Sequence, residues 1–397
     1  MLDTAIVAAL IITGFVLLHP RIARSKNWRA TVTPLASIIG SGFLVLGPVL
    51  QHAYGAHAAL AMAALCGLAW AFGSAIRFNI AHAEGALSGP LENGVETAAS
   101  WALAFAYVIS VAYYLNLFGA FAVSLTPQDT LLAGELVTTA VFLLILAVGW
   151  TSGFRMLERM EYVSVTIKLA IIASLLAGLA WFLAVRIKQG NEIVLPVSVG
   201  PVEALTLGFG LIVTVQGFET SRYLGRTYDA ATRISSMQLA QLVSALIYMA
   251  YIAMLSFSIA APDGKLSETA IIDMMKVVSP LLPWLLVAAA LAAQFSAAVA
   301  DTGGSGGLFV EVSHGRISVR QAYVLLVGLG LALTWSANVF EIIAYASRAF
   351  ALYYALQSLL AGLVGMRLRK PAMLNAFHFT MMFAGFAIVL FGQAVEG

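Results

Sequence analysis

Three ionisable residues stand in runs of sequence that are otherwise apolar: Lys168, Glu219 and Asp301. Lys168 sits in Val163-Ser164-Val165-Thr166-Ile167-Lys168-Leu169, more than about two helical turns from either end of its apolar run. That depth argues against simple snorkelling of the ammonium to a surface. An intramembrane cation needs a partner and marks a functional position. Glu219 closes Val215-Gln216-Gly217-Phe218-Glu219, and Asp301 opens Asp301-Thr302-Gly303-Gly304-Ser305. A carboxyl in such surroundings can alternate between a proton and a partner, so the chemistry on offer is the binding of ions, protons or a small polar solute.

The glycines near these residues say how the backbone takes part. Ile38-Ile39-Gly40-Ser41-Gly42-Phe43 lies inside an apolar stretch long enough to cross a bilayer, and each glycine costs a helix about 1 kcal/mol relative to alanine. Opening the helix there exposes amide groups at membrane depth, which is tolerated only where they line a cavity. A second interruption follows Gly208 and Gly210 and reaches Gly217. Helix N-termini favour anions, so the end of a half-helix there can hold a polar or anionic ligand. The competing reading of Gly40-Ser41-Gly42, close helix packing by small residues, does not explain why a second break accompanies the first.

The elements that position these groups are membrane helices. Hydrophobic residues form 61% of the chain, charged residues 10%, and mean hydropathy is +0.93, against about 25% charged residues in a soluble domain. Apolar runs of roughly 20 residues predict about twelve spans, near 3 to 19, 30 to 50, 56 to 79, 95 to 124, 130 to 150, 158 to 185, 203 to 225, 234 to 260, 281 to 309, 319 to 336, 339 to 365 and 372 to 394. The first is a retained helix: its start, Met1-Leu2-Asp3, is acidic and the basic residues Arg21, Arg24, Lys26 and Arg29 follow it, the reverse of a secretory signal. With that helix running outside to inside, only Arg186, Lys188, Lys265 and Lys276 fall outside, Lys168 and Arg348 fall within spans, and the rest of the 21 basic residues fall inside. The positive-inside rule therefore puts both termini outside, in what the reading takes to be a bacterial inner (plasma) membrane.

Setting the first helix aside, the breaks open two groups of five spans, 30–186 and 203–365, that start on opposite sides of the membrane. Residues 1–29 hold the additional first helix with its basic loop, and 366–397 the last span. Paired broken helices in matching positions of two halves point to an inverted-repeat carrier with a midplane site. At these residues the chain resembles the amino acid-polyamine-organocation superfamily. Ile39-Gly40-Ser41-Gly42-Phe43 with Gly47-Pro48 is similar to its first core helix, Gly217-Phe218-Glu219 to its sixth, and the setting of Lys168 to the fifth-helix lysine of proton-coupled and sodium-independent members; Gly315-Arg316 is a weaker match.

The resemblance implies an all-α polytopic protein with a LeuT-type five-plus-five inverted-repeat core, one extra helix at each end, and secondary transport of an amino acid or related small amine. It further implies that amides of Ser41 and Gly42 receive a carboxylate, that carbonyls of Ile38 and Gln216 receive an amine, and that Gly217 and Glu219 join the two breaks. Lys168 would stand where related carriers hold sodium, paired with Asp301 or with Thr302 and Ser305, so that transport is proton-linked or sodium-independent. One departure stands out: Thr220-Ser221-Arg222-Tyr223-Leu224-Gly225-Arg226 replaces the acidic, Asn-Pro-containing continuation common in the family.

Other chemistries fit less well. Asp301-Thr302-Gly303 lacks the second acid that a shared-proton dyad needs, and Gly303-Gly304-Ser305-Gly306-Gly307 lacks the ending of a phosphate loop. The six histidines have no metal-ligand spacing, one cysteine cannot form an internal disulfide, and a net charge of +2 gives no reason to expect nucleic acid. Neither an enzyme nor a cofactor is expected. Tyr113, Tyr114 and Asn116 are weaker candidates to face the site. The alternative function is a transporter-shaped sensor or accessory subunit that binds a solute without moving it.

Overall fold

The computed structural model describes residues 1–40, 42–151, 161–260 and 266–395. Helices account for nearly all of it, and no strand occurs among the described residues. In chain order they are α1 (Leu2–Leu18), α2 (Pro20–Ala23), α3 (Lys26–Ile38), α4 (Gly42–Tyr54), α5 (Ala58–His82), α6 (Pro90–Val123), α7 (Leu131–Thr151) and α8 (Glu161–Gln189). After α9 (Pro201–Gly210) come two 3-10 segments, Ile212–Val215 and Phe218–Arg226. The chain continues through α10 (Ala230–Ser258), α11 (Ala270–Lys276), α12 (Leu282–Val312), α13 (Val319–Thr334), α14 (Val339–Arg367) and α15 (Ala372–Phe391).

Among the described residues, eight helical stretches are long and apolar enough to cross a membrane, with α4 and α5 running on as one stretch, Gly42–His82. Two apolar helices, α1 and α13, are shorter. The expected spans near 30 to 50 and 203 to 225 are the two that the structure interrupts, which is why a length criterion passes over them as units. The protein is thus a polytopic all-α membrane protein. Large apolar side chains lie exposed on its outer helices, among them Ile11 and Phe15 on α1, Leu143 on α7 and Phe383 and Leu390 on α15. That is the surface acyl chains would cover.

Helix ends follow local chemistry. Ser25 caps α3 by accepting from Trp28 N, and Asp229 caps α10 by accepting from Thr232 N at 2.8 Å. Ser318 with Gln321 and Asn338 with Glu341 form capping boxes at the starts of α13 and α14, satisfying amides that have no partner inside the helix. The long α6 is the central post, packed between α12 and α14 and flanked by α7 and α13. Small residues allow close approach there: at Gly119 an added methyl would meet the Gly134 carbonyl and the Thr138 hydroxyl of α7. The additional helix α1 lies along α8, with Ile6 against Gly178 and the Tyr162 hydroxyl donating to Leu17 O at 2.7 Å.

Candidate functional site: two crossed helix breaks

The first break separates α3 from α4 at Ile39 and Gly40, with Ile39 leaving helical geometry at φ −83°, ψ 45°. The second begins at Leu211 and reaches Gly217, whose φ of +117° is left-handed. Glycine adopts that backbone without steric cost. The two breaks lean on each other reciprocally. A methyl group at Gly42 would come within 2.7 Å of Thr214 Cβ, and one at Gly217 within 2.5 Å of Ser37 Oγ and 2.6 Å of Ile38 N. Gly217 therefore admits the end of α3 just before the first break, and Gly42, at the start of α4, admits Thr214 within the second.

A tyrosine from α10 joins them. The Tyr248 hydroxyl lies 2.9 Å from Ile38 O and 2.7 Å from Thr214 O, carbonyls that helix opening would otherwise leave buried and unsatisfied. The expectation that Glu219 links the two segments takes a different form. Glu219 is fully buried, and its Oε2 accepts from Gly217 N at 2.9 Å and from the Tyr354 hydroxyl at 2.9 Å. The left-handed turn at Gly217 points its amide back at the side chain two residues on, so the carboxyl ties its own break to α14. Glu219 Oε1 has no hydrogen-bond partner among the described residues. Rings close the pocket around it: Tyr354 stacks on Phe72 and Phe218, with centroids 5.2 and 5.1 Å away.

Gln216 donates from Nε2 to the Tyr114 hydroxyl at 2.9 Å, which brings α6 to the second break. Tyr114 thus belongs to the site. Asn116 turns elsewhere, donating to Ala112 O and Thr334 Oγ1. Ser41 lies outside the described residues; Ile38, Gly42, Gln216, Gly217 and Glu219 all lie at or beside the two breaks.

At Lys168 the structure shows a contact that the sequence did not anticipate. Its ammonium donates to Ala36 O at 2.7 Å, in the last turn of α3. Of the residues expected as its partners, Asp301 and Ser305 are engaged with α6 and Thr302 with its own helix. Asp301 accepts a hydrogen bond from Ser110 Oγ on α6, Thr302 Oγ1 donates to Ala298 O at 2.6 Å, and Ser305 Oγ donates to Ala104 O at 3.1 Å. The physical reason is the rotation of α12. Its Asp301 and Ser305 side faces α6, while Lys168 meets the same helix near Gln294 across a small cavity. Gln294 lies seven residues before Asp301, about 10 Å along the axis. The carbonyl at the negative end of α3 is a favourable acceptor for a cation, and the lysine takes it.

On the side carrying most of the basic residues, a polar network closes over the second break. Arg222 donates to Gln357 Oε1 and, at 2.9 Å, to Glu96 Oε1, and Arg233 binds Glu84 at 2.6 Å while donating to Arg222 O at 2.7 Å. Residues from 3-10 segment, α5–α6 loop, α6, α10 and α14 are thereby tied together. Sequence reading placed Arg222 only as a basic residue near the surface; Tyr248, Tyr354, Ser110 and Gln294 it did not single out, since lone polar residues in apolar helices carry no spacing signal.

Comparison with known proteins agrees with this geometry. A family described as APC superfamily transporter matches residues 20–392. A protein of Aquifex aeolicus (strain VF5), named only as uncharacterized, is 42% identical over 401 residues, covering 98% of this chain and 97% of its own length.

Proposed function

Because the chain belongs to the APC superfamily transporter family, we propose that it is a secondary carrier moving amino acids or related small amines by alternating access, proton-linked or independent of sodium. The observation that carries this reading is the reciprocal crossing at Gly42 and Gly217, which sets two unwound segments side by side in the protein interior. In this reading the solute sits at the crossing, against Ile38, Ser41, Gly42, Gln216, Gly217 and Glu219. A carboxylate is received at the start of α4, where amides lack helical partners, and an amine near the carbonyls that end α3 and the first 3-10 segment.

The two groups of five spans, 30–186 and 203–365, form an inverted repeat in this reading. Support comes from matching contacts: α5 packs on α10, α6 on α12 and α7 on α13, while α6 with α14 is mirrored by α12 with α8. The protein lies in an inner membrane with both termini outside. Lys168 supplies the coupling. Protonated, it holds Ala36 O at the end of α3; on losing its proton it releases that end and the half-helix can tilt. Asp301 and Ser305 act on the other half of the cycle by fixing α12 against α6, with Thr302 bonded to Ala298 O within α12 between them.

The test is uptake into liposomes holding the purified protein, with a panel of amino acids and amines under an imposed proton gradient or an imposed sodium gradient. Saturable, pH-driven uptake of one solute class is expected. Solute binding without flux would transfer the protein to the sensor class.

A further inference from the structure

Where Asp301 of α12 meets Ser110 of α6, the hydrogen-bond contacts outnumber the hydrogens that an ionised carboxyl leaves available. Both residues are buried, at 4% and 0% exposure. The Ser110 hydroxyl lies against two acceptors, Asp301 Oδ2 and, at 3.0 Å, Tyr107 O, and a hydroxyl has one hydrogen to give. With Asp301 ionised, the serine serves one oxygen and neglects the other. With a proton on Asp301, the carboxyl donates to Ser110 Oγ and the serine donates to Tyr107 O, so both contacts are used. Among the described residues Ser110 is the one hydrogen-bond donor to Asp301, and no basic side chain forms an ion pair with it. A single hydroxyl does little to offset the lost hydration of a buried carboxylate.

The elements packed on α12 do not supply the missing charge. α6 presents Tyr107 and Tyr114, and the second break presents Glu219, another acid. Lys168 of α8 meets α12 near Gln294, about 10 Å along the axis from Asp301, and donates to Ala36 O. Lys26 and Arg29 of α3 are exposed, Asp273 and Lys276 of α11 pair with each other, and α13 brings Tyr323 against Gly306. Asp301 also heads the stretch Gly303-Gly304-Ser305-Gly306-Gly307, in which each glycine costs the helix about 1 kcal/mol relative to alanine. That stretch leans on α6: Tyr107 packs on Gly304, and Ser305 Oγ donates to Ala104 O. We propose that Asp301 is a proton-binding site. As the neutral acid it fastens the glycine-rich part of α12 to α6 through Ser110, and on losing its proton it releases that part. The use of this clamp in transport rests on the carrier reading; the proton site itself does not.

The experiment is infrared spectroscopy of the purified full chain, without solute, over a pH series. A neutral carboxyl absorbs above the amide band and a carboxylate below it, so the two forms are read apart. At neutral pH the wild type is expected to show a neutral-acid band that Asp301→Asn removes and that Ser110→Ala shifts upward, its hydrogen-bond partner being gone. Isotopic labelling of aspartate carboxyls is expected to move the same band and labelling of glutamate to leave it, which keeps the test decisive if a variant does not fold. No such band at neutral pH, a band untouched by Asp301→Asn or by aspartate labelling, or one that Ser110→Ala leaves in place would each overturn the proposal. Asp301→Asn keeps an N–H donor for Ser110 and cannot ionise, so it is expected to hold the wild-type thermal midpoint and lose flux; wild-type flux in that variant would overturn the release step. Because the band is read without solute or flux, its absence leaves the carrier reading standing, and a chain that moves no solute still shows it.

Discussion

Gly217 holds its left-handed backbone directly against Ser37, with 2.5 Å between the serine oxygen and the place where a side-chain carbon would begin. Conformation and space thus make the same demand at one residue. Gly217→Ala is expected to cost about 1–3 kcal/mol from the backbone alone, with the contact adding to it, and to abolish flux. Gly303→Ala is the control: no neighbour lies within 4 Å of its added methyl, and a helical glycine-to-alanine change is neutral or stabilising by up to about 1 kcal/mol. Thermal midpoints of the two variants check this. Equal destabilisation would show that the crossing is not the reason for the glycine.

Lys168→Ala removes the donor to Ala36 O. The expected outcome is loss of transport, or transport whose rate no longer follows external pH. Uptake in liposomes across a pH series measures it, and unchanged uptake with an unchanged pH profile would remove the lysine from the mechanism.

Glu219 offers a comparison between two substitutions. Glu219→Gln keeps a carbonyl oxygen for Gly217 N and the Tyr354 hydroxyl, so it should fold with a midpoint close to wild type. Glu219→Ala strands both donors in a buried site, at about 1–3 kcal/mol for each group left unpaired. If the carboxyl alternates between protonated and ionised forms during transport, the glutamine variant binds solute but does not complete the cycle. Solute-induced thermal shift together with flux separates the two effects; full flux in Glu219→Gln would make the residue purely structural.

The inner network predicts a conformational effect. Arg222→Ala removes the charged partner of Glu96, which keeps only the Gln357 amide at 3.3 Å, while Gln357 Oε1 keeps Asn79 Nδ2 at 2.9 Å; the cost is about 1–3 kcal/mol, below the figure for a fully buried pair because Glu96 keeps 24% of its surface. It also unties the second 3-10 segment from α6 and α14, so opening toward that side should become easier. Faster hydrogen exchange at residues 218–226 is the expected sign, with partial rescue by Arg222→Lys, which retains the charge but not the planar fork. Exchange indistinguishable from wild type would deny the network a gating role.

Both breaks were legible in the sequence because glycine is costly in a helix and an apolar span has few reasons to carry it in clusters. Lys168 was legible as a buried cation for a similar reason: its burial has to be compensated. Its acceptor was not legible. Choosing between Ala36 and Asp301 requires the rotation of α12 about its axis, which depends on packing against α6 over many residues, none informative alone. Tyr248 was hidden because a tyrosine among apolar neighbours reads equally well as core, and only the fold brings its oxygen to Ile38 and Thr214. The additional first helix was readable from charge order, yet its contact with α8 through Tyr162 and Leu17 was not.

The tyrosine between the breaks has a consequence in simple valence. A phenol carries one hydrogen, while two carbonyl oxygens stand within reach of it, at 2.9 and 2.7 Å. At any instant one oxygen receives that hydrogen and the other is passed over. The crossing therefore always retains one acceptor that Tyr248 leaves unserved, and which break it belongs to changes with a rotation of a single O–H bond. In the proposed carrier, a solute ammonium with hydrogens to spare would serve the oxygen left out without evicting the phenol, so occupancy of the site and the choice of carbonyl would become one event.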